Sequence, residues 1–304
     1  MSSNEFDALV AQLKAGAPDL NREAKAVRAD FHAMMTAFRV DESVVQHPQT
    51  LNGVPCIRAT GPWSDPQRLM LYVHGGAYVF GSASDYLPLA TALARNAETH
   101  LCAVDYRLAP EHPYPAALDD VLQVYRALLA EYPAERIVVA GDSAGGGLTV
   151  ALLVAARDAG LALPAAAVLL SPWADLALEG ASLQTRAADD YLLSAQGLAR
   201  MARYYVGDES PRAPLISPVH ADLTGLPPLL IQVGSHEILL SDALRLTDRA
   251  ALADVAVELQ VWPRMFHVWQ LFDGALRPST DALEQAGRFL GNRLAACAHQ
   301  PSAQ

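Results

Sequence analysis

The stretch IVVAGDSAGGGL, residues 137–148, joins an apolar strand-length run to Gly141-Asp142-Ser143-Ala144-Gly145 and then to a helix-length segment. Between a strand and a helix, a G-x-S-x-G pattern places the serine hydroxyl on a tight turn above the sheet, and the small flanking residues allow close packing. A glycine-rich turn can also bind phosphate, but neither G-x-x-x-x-G-K-[ST] nor G-x-G-x-x-G is present here. The pattern therefore predicts that Ser143 is a nucleophile.

Short apolar runs alternate with helix-length segments from about residue 54 onward. Six runs rich in Val, Leu and Ile are typical of strands buried on both faces of a parallel sheet: residues 69–73, 100–104, 137–140, 166–170, 229–233 and 255–261. Helix-length segments lie between several of them, at residues 87–95, 116–131, 144–159 and 242–253. This alternation predicts an α/β fold, with a mostly parallel central sheet and helices on both faces.

Two regions do not fit the alternation. The first forty residues contain two amphipathic helices, and the second of these has an apolar stripe that needs a partner: Ala24, Val27, Phe31, Met34 and Phe38. The stretch between residues 176 and 226 contains many prolines and one helix near residue 201. We interpret it as an insertion above the sheet.

Composition excludes several classes of function. Of the 304 residues, 52% are hydrophobic and 18% are charged, so we expect a large buried core. The net charge of −11 argues against a nucleic-acid partner, and no run approaches the ~18 apolar residues of a membrane span, so no stable membrane insertion is expected. Glu5 and Asp7 stand where a signal peptide would be basic, which favours a cytoplasmic location. The three widely spaced cysteines, Cys56, Cys102 and Cys297, predict reduced thiols and no metal site.

The predicted nucleophile needs a base, because a serine hydroxyl is a weak nucleophile near neutral pH. In an α/β-hydrolase the order along the chain is serine, acid, histidine, and the histidine follows the last strand. Residues 255–269, VAVELQVWPRMFHVW, supply a strand, a loop broken by Pro263 and then His267. We therefore predict that His267 is the general base of Ser143.

The acid that orients the base should lie just past the run PLLIQVG. Glu237 follows this strand within a few residues, where its carboxylate can reach across to the base. Asp242 lies more than a helical turn further on, where a carboxylate favours the helix dipole. Asp175, after residues 166–170, is a third candidate. Glu237 is the favoured acid, and the two aspartates stay open as alternatives.

A second glycine-containing stretch follows a buried strand. In LYVHGGAYVFGS, residues 71–82, His74, Gly75 and Gly76 come directly after an apolar run. Glycine in this place weakens the strand and provides no side chain to pack. Packing therefore does not explain these glycines.

Six motifs, in order along residues 50–295, resemble the hormone-sensitive-lipase-like family of α/β-hydrolase carboxylesterases: HGGAYVFGS, DYRLAPEHPYPAAL, GDSAGGG, LISP, GLPPLLIQVGSHEILL and FHVWQLF. The resemblance implies an α/β-hydrolase fold with a helical cap. Residues 41–176 and 226–304 would form the catalytic core, and residues 1–40 and 177–225 the cap. It also implies that Ser143, His267 and Glu237 act together as a catalytic triad.

The same resemblance assigns the His-Gly-Gly segment to an oxyanion hole. The backbone N–H groups of Gly75, Gly76 and Ala144 are the expected donors. Many relatives have a third glycine where this chain has Ala77, and alanine would be strained there if the position requires a positive φ. Asp142 is expected to order the loop by hydrogen bonding.

Together these features imply a serine carboxylesterase that hydrolyses short- to medium-chain acyl esters or lactones through an acyl-enzyme, without a cofactor or a metal. Tyr78, Trp173 and Trp269 are candidates for lining the substrate pocket, with core packing as the alternative for each. A homodimer is a candidate assembly, because dimers are frequent among such relatives. The competing interpretation is a binding protein on the same scaffold that has lost the base, and the presence of all three triad residues argues against it.

Overall fold

Short apolar runs form one eight-stranded sheet in a computed structural model that describes residues 3–298. In chain order the strands are β1 (Val45–Leu51), β2 (Val54–Thr60), β3 (Asp65–Val73), β4 (Thr99–Val104), β5 (Ile137–Asp142), β6 (Ala166–Leu170), β7 (Leu229–Gly234) and β8 (Val257–Trp262). Across the sheet the order is β1-β2-β4-β3-β5-β6-β7-β8. β2 is antiparallel to both of its neighbours, and the remaining pairs, from β4 to β8, are parallel.

Nine α-helices occur within the described residues. They are α1 (Ser3–Gly16), α2 (Ala24–Met35), α3 (Ala83–Ala97), α4 (Ala116–Glu131), α5 (Ser143–Asp158), α6 (Ser182–Thr185), α7 (Ala195–Val206), α8 (Leu240–Leu252) and α9 (Arg277–Ala298). Helices α3 and α9 pack against each other, and α4 packs against α5. The sheet therefore lies between two helical layers, as the alternation of strands and helices predicts.

The predicted strands and helices correspond closely to the observed ones. The six apolar runs coincide with β3 to β8, and the four helix-length segments coincide with α3, α4, α5 and α8. β5, β6 and β7 are buried along their whole length, which accounts for their continuous apolar sequences. The hairpin of β1 and β2 and the long helix α9 were not predicted.

The parallel strands bring distant parts of the sequence to one edge of the sheet. His74 follows β3, Ser143 follows β5, Ser171 follows β6, Glu237 lies three residues beyond β7 and His267 lies five beyond β8. Because parallel strands all end at the same edge, the loops that follow them lie side by side. Chemical groups from five strand ends therefore meet in one place.

The two regions outside the alternation contact each other and the rest of the molecule. Arg200 of α7 donates to Glu23, immediately before α2, at 2.7 Å. The ring of Phe31 on α2 lies 4.9 Å, centroid to centroid, from that of Phe80 in the loop after β3. The apolar stripe of α2 thus packs against the loop that follows β3.

Two further expectations concern the membrane and the cysteines. Within residues 3–298, none of the helices has the length and apolar character needed to cross a bilayer. Cys56 and Cys102 lie on the paired strands β2 and β4, where both thiols are buried and free. The side chain of Cys297 lies outside the part that the structure describes.

Candidate active site

Ser143 sits on the turn between β5 and α5 with a backbone φ of +52°. This left-handed conformation is unfavourable for a residue with a side chain and commonly marks a functional site. A Cβ on Gly145 would lie 2.1 Å from the carbonyl oxygen of Val73, and one on Gly141 would lie 2.4 Å from the carbonyl oxygen of Gly145. Both glycines of the G-x-S-x-G pattern are therefore required for the close approach of strand and helix.

The three side chains predicted as a triad lie in one hydrogen-bonded row. Nε2 of His267 is 2.9 Å from Oγ of Ser143, and Nδ1 of His267 is 2.8 Å from Oε2 of Glu237. A carboxylate only accepts, so Nδ1 carries the proton and Nε2 is free to accept from the serine hydroxyl. All three residues are buried.

The second carboxylate oxygen of Glu237 is also fixed in place. Oε1 accepts from the backbone N–H of Gly234 at 2.5 Å and from the hydroxyl of Ser171 at 2.7 Å. Oγ of Ser171 accepts in turn from the backbone N–H of Val268, next to His267, at 3.2 Å. Ser171 thus connects the loops that carry the acid and the base. Sequence reasoning missed it, although its position directly after β6 was a usable signal.

The electrostatic environment favours a basic imidazole at His267. Burial by itself lowers the pKa of the ring. The hydrogen bond to Glu237 and its charge act in the opposite direction, as do the charges of Asp190 and Asp142. The pKa of His267 therefore lies above the ordinary value of histidine.

The loop after β3 presents backbone to the same place, with three successive left-handed residues. Gly76 has a φ of +105°, Ala77 of +52° and Tyr78 of +63°. A Cβ on Gly76 would lie 1.9 Å from the carbonyl oxygen of Phe80, so this position admits only glycine. The left-handed conformation at Ala77 is the strained case anticipated from the sequence.

Gly75 differs from the expectation. Its backbone N–H donates to Oδ1 of Asp142 at 2.9 Å, so it is not free to bind a substrate oxyanion. Gly76 and Ala77, by contrast, lie on the wall of the pocket that contains Ser143. The structure therefore argues against Gly75 as a donor and moves the candidate position one residue along the loop.

Two buried polar groups anchor this loop. The Asp142 carboxylate also accepts from the hydroxyl of Tyr72 at 2.9 Å, and burial raises its pKa to about 7. The His74 ring stacks on Tyr106 with centroids 4.2 Å apart, and its Nδ1 donates to the carbonyl oxygen of Gly75 at 2.6 Å. Burial lowers the pKa of His74, so this ring is neutral near neutral pH. Both residues hold the loop, as expected for Asp142.

Comparison with known proteins shows the family to which the chain belongs. A family model described as the α/β hydrolase fold matches residues 70–271. An acetyl-hydrolase of Streptomyces hygroscopicus is 50% identical over 236 residues, which cover 76% of this chain and 79% of that protein. An esterase of Acinetobacter venetianus is 36% identical over 272 residues, 89% of each chain. A crystal structure of an esterase from the bacterial hormone-sensitive lipase family is 40% identical, with a TM-score of 0.93 over 97% of this chain and 99% of that one.

The chain belongs to the hormone-sensitive-lipase-like family of α/β-hydrolases. It is an enzyme, a carboxylic ester hydrolase, and the predictions of family and fold are confirmed.

The pocket that contains Ser143 is small and apolar. Its volume is about 80 Å³, and none of the described residues lining it is Asp, Glu, Lys or Arg. The region before the sheet and the segment between β6 and β7 each contribute apolar side chains to it: Leu20, Phe31 and Met34 from the first, and Leu192, Leu193 and Leu198 from the second. The cavity beside Ser143 is therefore predominantly apolar, as small-molecule binding pockets usually are.

The three aromatic residues predicted to line the pocket lie elsewhere in the esterase. Trp173 is fully buried, and its indole N–H donates to the carbonyl oxygen of Asp175 at 3.2 Å. Trp269 is fully buried beside Trp262. Tyr78 stacks on Tyr205 of α7 with centroids 3.8 Å apart. All three are buried, and none is among the residues that line the pocket beside Ser143, so the structure favours the alternative of core packing.

The two alternative acids belong to a separate cluster. The Asp242 carboxylate accepts from the backbone N–H groups of Ala174 and Asp175, both at 2.9 Å. Asp175 is paired with the guanidinium of Arg245. Burial, and then the nearby charge of Asp175, raise the pKa of Asp242 to about 8. Neither aspartate contacts His267, so the hydrogen-bond geometry favours Glu237 as the acid.

Asp175 also belongs, with Glu179 and His220, to the one group of side chains in the described part of the esterase whose ligand atoms are close enough to share a metal ion. The guanidinium of Arg245 contacts both carboxylates, with Nη2 3.7 Å from Oε2 of Glu179. Arg245 therefore supplies the positive charge that balances these acids.

Proposed function

We propose that this esterase is a serine carboxylesterase that hydrolyses short- to medium-chain acyl esters or lactones through Ser143, His267 and Glu237. The observation that carries the proposal is the row of hydrogen bonds from Glu237 through His267 to Ser143 at the wall of an apolar pocket. This arrangement combines a nucleophile, a base and an orienting acid, which is the geometry of acyl transfer.

In the first step the Ser143 hydroxyl attacks the ester carbonyl while Nε2 of His267 takes its proton. Glu237 holds the ring through Nδ1 and stabilises the imidazolium that forms. The raised pKa of His267 supports this role, because a stronger base accepts the proton more readily. The imidazolium then protonates the leaving alcohol, and the acyl group stays on Ser143.

Negative charge develops on the carbonyl oxygen in this step. We assign its stabilisation to the backbone N–H groups of Gly76, Ala77 and Ala144. Ala144 lies in the first turn of α5, where backbone N–H groups have no partner within the helix and the helix dipole favours an anion. Removing one such donor typically costs about 2.7–4 kcal/mol in the transition state.

The second half of the reaction uses the same groups. Water enters as the alcohol leaves, and Nε2 of His267 takes a proton from it as it attacks the acyl-enzyme. The tetrahedral intermediate collapses, the carboxylic acid is released, and Ser143 regains its proton. Water is the only reactant besides the ester that these two steps consume.

The pocket supports neutral substrates with a small acyl group. Its volume of about 80 Å³ is well below the range of roughly 300–1,000 Å³ found for drug-sized ligands. The name of the Streptomyces hygroscopicus relative, acetyl-hydrolase, points in the same direction. Linear esters and small lactones both meet these requirements.

We further propose the division into a catalytic core, residues 41–176 and 226–304, and a cap, residues 1–40 and 177–225. The two cap segments contact each other through Arg200 and Glu23, and both contribute apolar side chains to the pocket. A cytoplasmic location and assembly as a homodimer stay predictions.

The proposed function is tested by hydrolysis of p-nitrophenyl acetate, butyrate and octanoate and of a small lactone at about pH 8. We expect the acetate and the butyrate to be cleaved faster than the octanoate. The matched control is Ser143→Ala. Absence of cleavage by the wild type on the whole panel would favour the competing interpretation, a binding protein on the same scaffold.

A further inference from the structure

The loop that carries Gly76 and Ala77 is held from outside by the N-terminal region. Arg28 on α2 donates from Nε to the carbonyl oxygen of Val79 at 2.7 Å and from Nη2 to the carbonyl oxygen of Ala109 at 2.8 Å. The backbone N–H of Ala109 donates in turn to the carbonyl oxygen of Tyr78 at 2.9 Å. These bonds close a ring that joins α2, the loop after β3 and the segment after β4.

Glu111 fixes the orientation of the Arg28 guanidinium. Nη1 of Arg28 donates to Oε1 of Glu111 at 2.9 Å, and Nη2 donates to Oε2 at 2.6 Å. The hydrogen bond from Arg28 lowers the pKa of Glu111, so the carboxylate is ionised at neutral pH. A planar guanidinium can serve the carboxylate and two carbonyl groups at once, whereas the single nitrogen of a lysine cannot.

The loop needs such support because its own backbone is unfavourable. Gly76, Ala77 and Tyr78 are left-handed in succession, and the last two carry side chains. Inside the loop, the carbonyl oxygen of Gly76 accepts from the N–H groups of Val79 and Phe80, both at 2.9 Å. A strained conformation persists only where its surroundings hold it. Arg28 contacts the loop at Val79, directly beside the left-handed residues.

We propose that Arg28 is a positioning residue of the oxyanion hole. By holding the carbonyl of Val79, and that of Tyr78 through Ala109, it keeps the backbone N–H groups of Gly76 and Ala77 where negative charge develops on the substrate. This inference rests on the proposed esterase function. It makes α2 a part of the catalytic apparatus as well as a wall of the pocket.

The test compares Arg28→Met and Arg28→Lys with the control Arg22→Met. Arg22 precedes α2, pairs with the exposed Asp30 and does not touch the loop. For each protein, kcat and KM for p-nitrophenyl butyrate are measured together with the inhibition constant of an aliphatic trifluoromethyl ketone, which forms a tetrahedral adduct. The thermal midpoint reports whether each variant is folded.

We expect kcat to fall about 10- to 100-fold in Arg28→Met, since misplaced catalytic groups lose rates of this size. KM should stay within about twofold, and the inhibition constant should rise by the same factor as kcat falls, because only the tetrahedral state uses these N–H groups. Arg28→Lys should recover little, because the charge without the planar fork does not hold the loop. Arg22→Met should match the wild type.

The proposal is overturned if folded Arg28→Met retains the wild-type kcat and inhibition constant, or if only KM rises. If Arg28→Met does not fold, Arg28→Lys and Glu111→Gln decide the question by the same criterion: kcat should fall by the factor by which the inhibition constant rises. A wild type that cleaves no ester refutes the proposed function instead. An active wild type with unaffected Arg28 variants refutes only the role of Arg28.

Discussion

The backbone N–H of Gly75 donates to Oδ1 of Asp142 at 2.9 Å, so the carboxylate of the residue before Ser143 holds the first glycine of the loop after β3. The hydroxyl of Tyr72 donates to the same oxygen. A Cβ on Gly75 would lie 2.2 Å from Oδ2 of Asp142, so only glycine allows this contact. The two glycines therefore have different functions: Gly75 binds Asp142, and Gly76 turns the backbone toward the pocket.

Variants of Asp142 separate its hydrogen bonding from its charge. Asp142→Asn keeps an oxygen acceptor for Gly75, so kcat should stay within about tenfold of the wild type, whereas Asp142→Ala releases the loop and should lower kcat about 100-fold. The charge of Asp142 also raises the pKa of His267. The acidic limb of the pH profile of kcat/KM should therefore move to lower pH in Asp142→Asn. Profiles from about pH 5 to pH 9 check both points, and equal losses in the two variants would contradict them.

Glu237→Gln removes the acid while keeping its size. The Gln variant should lose roughly 10³- to 10⁴-fold in kcat, as expected when the orienting carboxylate of a triad is lost. The remaining activity needs neutral His267, and loss of the Glu237 charge lowers the pKa of the ring, so the acidic limb should shift to lower pH. Asp242→Asn is the matched control, because its carboxylate binds Ala174 and Asp175 and not His267. A comparable loss in the control would make Asp242 the acid.

Glycine at position 77 tests whether the methyl group of Ala77 weakens the oxyanion hole. The left-handed conformation of an alanine costs roughly 1–2 kcal/mol. Ala77→Gly removes this cost, so the thermal midpoint should not fall. It should change kcat/KM by less than about tenfold, ~1.4 kcal/mol, because the N–H group is unchanged. Gly76→Ala should nearly abolish activity, since its Cβ would meet the Phe80 carbonyl. A large gain in Ala77→Gly would show that the natural loop is distorted.

The adjacent methionines of α2 test the pocket. Met34 lines the cavity, whereas Met35 is buried in the core. Met34→Ala should widen the cavity and raise the ratio of octanoate to acetate hydrolysis several-fold. Burial of more of the octanoyl chain in the wider cavity would stabilise its transition state by about 1 kcal/mol. Met35→Ala should lower the free energy of unfolding by about 2–5 kcal/mol and leave this ratio unchanged. Kinetics on both esters, with denaturant melts, distinguish the two. An unchanged ratio in Met34→Ala would place the acyl group elsewhere.

The sequence predicted the centre of the fold and not its margins. β3 to β8 are buried and continuously apolar, so their composition marks them as strands. β1 is an edge strand that is largely exposed and contains Pro48, so it has no apolar run to detect. α9 begins with Arg277 and is slightly polar on average, so its sequence does not contain the apolar run by which the other elements were recognised.

The candidate site likewise contains residues that the sequence predicted and contacts that it did not. Ser143, His267 and Glu237 were predicted because each follows a strand that ends at one edge of the sheet, and their side chains lie within hydrogen-bonding distance of one another. Trp173 and Trp269 also lie near that edge, but the direction of a side chain depends on packing that sequence position does not give. A hydrogen bond from Asp142 to the loop was expected, but the sequence did not indicate that the N–H group of Gly75 is its donor.

Covalent labelling with diethyl p-nitrophenyl phosphate tests the central claim, that Ser143 is a nucleophile activated by His267 and Glu237. We expect one equivalent of p-nitrophenol per chain and, by peptide mass mapping, a diethylphosphoryl group on Ser143. His267→Ala should slow the labelling by roughly 10³-fold or more, because the hydroxyl loses its base. A label on another residue, or undiminished labelling of Ser143→Ala, would contradict the account.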